Sequence, residues 1–133
     1  MEIRQQDHWL VESVIGATGI DISTYDKAGR IGTDGQATLC GADETPQFMF
    51  LESADAGQPV SVAYFQAVSG QAKVALSGTG DAGDKLSVGA LGVILASGTA
   101  QASEPDEDDI GYALSSWTDG EETEVFFIKG GKV

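Results

Sequence analysis

Apolar and polar positions along this chain alternate in short runs rather than in helical stripes. Val60-Ser61-Val62-Ala63-Tyr64 has a period of two, which puts Val60, Val62 and Tyr64 on one face of a strand. Ala72-Lys73-Val74-Ala75-Leu76 and Lys85-Leu86-Ser87-Val88 repeat the habit. Phe48-Met49-Phe50-Leu51, Gly92-Val93-Ile94-Leu95, Ile110-Gly111-Tyr112-Ala113-Leu114 and Glu124-Val125-Phe126-Phe127-Ile128 complete the set. Glycine turns separate these runs at 55–57, 69–70, 78–83 and 119–120. Many short strands between glycine turns predict an all-β fold, a small compact barrel or sandwich. Ala54, Ala56 and Ser115-Ser116-Trp117 leave room for a short helix in each half, so at most one or two helices are expected.

The halves resemble each other. Sliding the sequence by 63 positions, without a gap, lays 21–64 on 84–127. Eleven of those 44 pairs are then identical, among them Gly29/Gly92, Gly35/Gly98, Leu51/Leu114, Gly57/Gly120 and Val62/Val125. Chance with this composition gives about three or four. Shared glycines point to shared turns. The sequence therefore predicts two pseudo-repeated units, 21–64 and 84–127, inside a single β domain spanning 21–128. Residues 1–20 fall outside the repeat. Leu10 and Val14 would share a face of a short helix, but so short a segment is not stable alone. It reads as an extended N-terminal arm that gains order by packing on something else. Residues 129–133 read as a frayed tail.

Composition narrows the partners. Seven Lys plus Arg against 21 Asp plus Glu give a formal net charge of −14 on 133 residues. Such a chain is a poor ligand for nucleic-acid backbones or an anionic membrane, which require clustered cations. With 41% hydrophobic residues it still has material for a core. No apolar h-region marks a cleavable signal, and no run approaches the roughly 20 apolar residues of a membrane span. The expectation is synthesis in a cytosol without export.

Candidate chemistry is sparse. Gly78-Thr79-Gly80-Asp81-Ala82-Gly83 matches G-x-G-x-x-G, but a dinucleotide site needs a helix N-terminus directly afterwards. Here a strand-like segment follows, and Asp81 and Asp84 repel phosphate, so the motif reads as a hairpin loop joining the repeats. The acidic run 104–109 is dense in oxygen ligands without EF-hand spacing and reads as a solvated charge run. Cys40 is the single cysteine, so no intramolecular disulfide can form, and no Ser-His-Asp set can be built without His8, the single histidine, which sits on the N-terminal arm. Cys40 reads as a small buried apolar residue. No catalytic, cofactor or metal residue is assigned.

The second half resembles the small capsid decoration proteins of tailed phages, also called head-stabilising or cement proteins. The likeness rests on Gly83-Asp84-Lys85-Leu86-Ser87-Val88, Gly92-Val93-Ile94, Ile110-Gly111-Tyr112-Ala113-Leu114, Gly120 and Glu124-Val125-Phe126-Phe127-Ile128. It covers about 84–128, and 29–64 more weakly through the repeat. The large acidic excess departs from the family's pattern, as does Trp117 with Asp119-Gly120 in place of an alanine-rich stretch. The resemblance implies a compact β-barrel bound to the outside of an assembled capsid. It implies no enzymatic activity and no cofactor, with the major capsid protein and two further copies (a homotrimer) as partners. The N-terminal arm would then contact the capsid through Ile3, Trp9, Leu10 and Val11. Two rival readings are a carbohydrate- or receptor-binding β module with an aromatic platform around Tyr112 and Trp117, and a small metal-dependent hydrolase using the 104–109 loop.

Overall fold

The computed structural model describes residues 1–3, 10–42, 44–65, 70–97 and 110–128. Eleven strands follow one another: β1 (Glu2–Ile3), β2 (Leu10–Ile15), β3 (Ala28–Ile31), β4 (Ala37–Leu39), β5 (Phe48–Phe50), β6 (Pro59–Tyr64), β7 (Gly70–Ala75), β8 (Lys85–Val88), β9 (Ile94–Ala96), β10 (Gly111–Ala113) and β11 (Glu122–Phe127). The all-β expectation holds, and each alternating run is a strand. Neither short helix forms. Ala54 and Trp117 instead make isolated β-bridges to Ile20 and Gly80. Gly57 and Gly120 then reverse the chain at φ of 81° and 79°. Among the described residues the sole helical turn is a 3-10 turn at Ala90–Gly92. The acidic run 104–109 and the tail 129–133 lie outside the described residues.

Two antiparallel sheets carry the fold. The six-stranded sheet has the order β1-β7-β11-β10-β8-β9, and the five-stranded sheet β2-β6-β5-β3-β4. Beyond β1 the two orders are the same, with β7, β11, β10, β8 and β9 standing for β2, β6, β5, β3 and β4. The registers agree pair by pair. Phe48 faces Tyr64 as Gly111 faces Phe127. Ala28 faces Met49 as Lys85 faces Tyr112. Leu10 faces Tyr64 as Gly70 faces Phe127. Bonds outside the ladders repeat too: Ala17 N–H donates to Ala37 O at 2.7 Å, and Ser77 N–H to Ile94 O at 2.8 Å. The chain is a structural duplication.

The units are not bounded where a gapless slide puts them. The 63-residue offset is right for β5 and β6, which fall on β10 and β11. It fails for β3 and β4: Ala28 corresponds to Lys85 and Gly35 to Gly92, an offset of 57. The segment between β9 and β10 is longer than that between β4 and β5. Loop length costs little free energy, so copies drift in length while the strands persist. Residues 10–15, placed outside the repeat by the sequence, form the first strand of unit one, matching Gly70–Ala75 of unit two. Residues 2–3 and 10–15 of the expected extended arm are strands, and what they pack on is this domain: β1 lies on β7 and β2 on β6.

Phe48, Phe50, Val60 and Val62 are buried on one face of the five-stranded sheet with Ile20 and Ala37. Phe48 meets Phe50 and Tyr64 edge to face, each at 5.3 Å. The other face sends Ala28, Met49 and Ala63 into the larger cluster with Val74, Leu86, Ile94, Val125 and Phe127. Burial on both faces explains why Phe48–Phe50 shows no alternation. Each of the buried Val, Leu, Ile, Met and Phe side chains contributes about 1.5–3 kcal/mol by leaving water.

Candidate interaction surface

β2 is an edge strand, held along its length by β6 and, just past Ile15, bridged from Gly16 to Ala37 of β4. Its ladder direction follows from its neighbours. Leu51 N–H donates to Ser61 O at 2.9 Å and Phe65 N–H to Gln47 O at 3.1 Å, so the odd residues of β6 bond to β5. The even residues Val60, Val62 and Tyr64 are left for β2, opposite Val14, Glu12 and Leu10. The backbone N–H and C=O groups of Val11 and Ser13 therefore point away from β6, whereas the end of the strand is taken: Gly16 bridges in parallel to Ala37 of β4, and Ala17 N–H donates to Ala37 O at 2.7 Å. Leu10, Val11 and Ile15 are 47%, 46% and 41% exposed. Val14 alone of the strand packs against the core.

The matching edge of the other sheet is covered. On β7, Lys73 faces Glu2 of β1, and the two side chains lie 3.9 Å apart. Ala75 N–H donates to Asp26 Oδ2 at 2.7 Å, while Ala75 O accepts from Asp26 N–H at 3.1 Å. Asp26 also accepts from the Met1 α-ammonium at 2.8 Å. On unit one, β4 takes the place beside the end of β2 through the Gly16–Ala37 bridge, and among the described residues no strand pairs with the outer side of Val11 and Ser13.

Of the four residues expected to contact a capsid, Leu10 and Val11 are on this bare edge. Ile3 is on the other sheet, in register with Ala72. Trp9 lies outside the described residues. Ser13 and Ile15 belong to the edge and were missed, although the spacing Val11, Ser13, Ile15 is a strand's spacing.

Electrostatics around the edge are one-sided. Glu12 is exposed and takes part in none of the ion pairs formed among the described residues. Burial raises the Tyr64 phenol above the ordinary tyrosine value, and the Glu12 charge raises it further. Past the end of β2 lies an open hollow of about 610 Å³ lined by Gly19, Ile20, Asp21, Ser53, Ala54 and Asp55. Its acids carry no ion pair among the described residues.

The other candidates resolve as follows. The Gly78–Gly83 loop runs into strand β8, not a helix, and its Gly78 N–H is taken by Asp119 Oδ1 at 2.7 Å. Cys40 is fully buried, with Sγ 3.2 Å from Glu44 O. Trp117 is 3% exposed, so it cannot form a platform with Tyr112. Tyr112, at 37% exposure, instead stacks on Phe126 at 5.6 Å and 26°. Among the described residues no group of three or more metal-ligating side chains converges.

No family model and no curated protein sequence matches this chain. Its fold is similar to a solved structure described as the head fiber gp8.5 N base of bacteriophage phi29. The TM-score is 0.65 at 15% identity, over 90% of this chain and 93% of that one. The chain has the fold of a phage head-fiber base.

Proposed function

We propose that this protein is a non-enzymatic structural component of a phage virion, bound to the outside of the assembled capsid and bridging neighbouring capsid subunits. The observation that carries this reading is the shared fold with a phage head-fiber base, over nine-tenths of both chains. The resemblance of 84–128 to decoration proteins leads to the same place from sequence. The physical fit is direct. A protein that ties subunits together needs interface area and a rigid body, not an active site. A net charge of −14 keeps coated particles apart. In this reading Leu10 and Val11 contact the major capsid protein, and three copies gather around each attachment point.

Sedimentation with capsids tests it. Purified protein added to capsids lacking it should pellet with them to a fixed plateau per particle and raise the temperature at which they release DNA. Protein left in the supernatant at saturating capsid would overturn the reading. Native mass measurement of the free protein reports whether the trimer precedes attachment.

The stacked Tyr112–Phe126 pair favours one alternative, a carbohydrate- or receptor-binding module. Titrating intrinsic fluorescence with glycans separates the two.

A further inference from the structure

The internal duplication lets one half of the molecule serve as a map of the other. Unit two carries a third partner on its first strand: β1 runs antiparallel along β7 with Glu2 opposite Lys73. Unit one has the same first strand, in the same register with its neighbour, and among the described residues no strand pairs with the matching edge before Gly16, where β4 bridges it through Ala37. Two consecutive outward positions, Val11 and Ser13, offer N–H and C=O groups at strand spacing. Val11 and Ile15 flank Ser13 with exposed apolar side chains.

We propose that the outer edge of β2 is an acceptor for an extended segment of another protein, which adds antiparallel to it as β1 adds to β7, and that this segment is basic.

Charge selects the occupant. A second copy would bring its own Glu12 and another net charge of −14 to the seam. Like charges facing each other across strands are destabilising. A segment with apolar residues at alternate positions and Lys or Arg between them meets Val11 and Ile15 with its apolar side and Glu12 with its charge. The acceptor stands on the ladder geometry alone. That the segment comes from the capsid rests on the virion reading above.

The test is amide hydrogen exchange on the full chain, resolved by residue with NMR. The probe is a ten-residue peptide alternating Val with Lys, and its match has Glu in place of Lys. The basic peptide should slow exchange at Val11 and Ser13 at least about tenfold. It should leave Glu12 and Val14, already bonded to β6, unchanged. The acidic peptide should protect none of them. No protection at the two outward amides, or equal protection by the acidic peptide, overturns the proposal. So does protection that appears without peptide as protein concentration rises, because the occupant is then a second copy. Ser13→Pro removes one outward donor without touching the β6 ladder and should abolish the effect. Glu12→Lys keeps every backbone group, covering the case in which the proline variant does not fold, and should weaken the basic peptide about tenfold. Peptide protection without capsid sedimentation rejects the virion reading only. Capsid sedimentation without peptide protection rejects the acceptor edge only.

Discussion

Trp117 occupies the space that a side chain at Gly80 would need. A Cβ on Gly80 would stand 2.2 Å from the indole Cη2, while the backbones of the two residues exchange hydrogen bonds of 3.0 and 3.3 Å. The indole N–H reaches Ser77 O at 3.4 Å. In the other unit the same bridge joins Ile20 and Ala54, with bonds of 2.8 and 2.9 Å. The large and small partners have changed places. The backbone contact is shared, and each copy fills the space beside it from the opposite strand.

Trp117→Ala should cost about 3–5 kcal/mol, as expected for emptying a buried aromatic site. Gly80→Ala should also destabilise, because the ring has to move. The reciprocal exchange gives a sharper outcome. Ala54→Trp alone overpacks unit one, whereas Ala54→Trp with Ile20→Gly should recover part of the loss. Urea denaturation of the single and double variants measures this coupling, and additive losses would show that the two bridges do not correspond.

Gly35 and Gly92 occupy equivalent hairpin turns at φ of 80° and 78°, but their surroundings differ. A Cβ at Gly35 meets nothing within 4 Å, whereas one at Gly92 would stand 2.4 Å from Ala28 O. Gly35→Ala should therefore cost only the left-handed backbone penalty, about 1–2 kcal/mol. Gly92→Ala should cost clearly more, because backbone from β3 must give way. Thermal melting of the two variants side by side reads the difference.

Asp26→Ala should lower stability by about 3 kcal/mol, since it strands the buried Ala75 N–H and the Met1 α-ammonium together. Asp26→Asn keeps an acceptor for Ala75 and should lose less. Denaturation midpoints of the two variants test that order.

Two tyrosines predict an alkaline limit. The hydrogen bond that Tyr25 donates to Asp119 raises its phenol above 10.0, and burial does the same for Tyr64. The folded chain holds these protons more tightly than the unfolded chain. Their contribution is complete below about pH 10 and is lost as pH rises through the higher folded values. On the acid side, the hydrogen bond from Arg30, then that from Gly41 N–H, holds Glu44 below 4.5. That contribution is present above 4.5 and lost as pH falls through the lowered folded value. It is small, because the Glu44 side chain is 38% exposed. Urea midpoints across pH should fall at both ends. Tyr64→Phe should flatten the alkaline limb and Glu44→Gln the acid one.

The strand content of this protein was legible because side chains alternate along a strand, and alternation survives without any tertiary contact. The match of 48–64 to 111–127 was legible too, since the turns between these strands, through Gly57 and Gly120, have kept one length. The kinship of Leu10–Ile15 with Gly70–Ala75 was not: LVESVI and GQAKVA share only Val14/Val74 at matching positions. What they share is a backbone ladder, and peptide N–H and C=O groups are the same whatever side chain they carry. The bare edge on β2 was hidden for the same reason. A sequence can name a strand, but whether its second side is occupied is decided only when every other strand has taken its place.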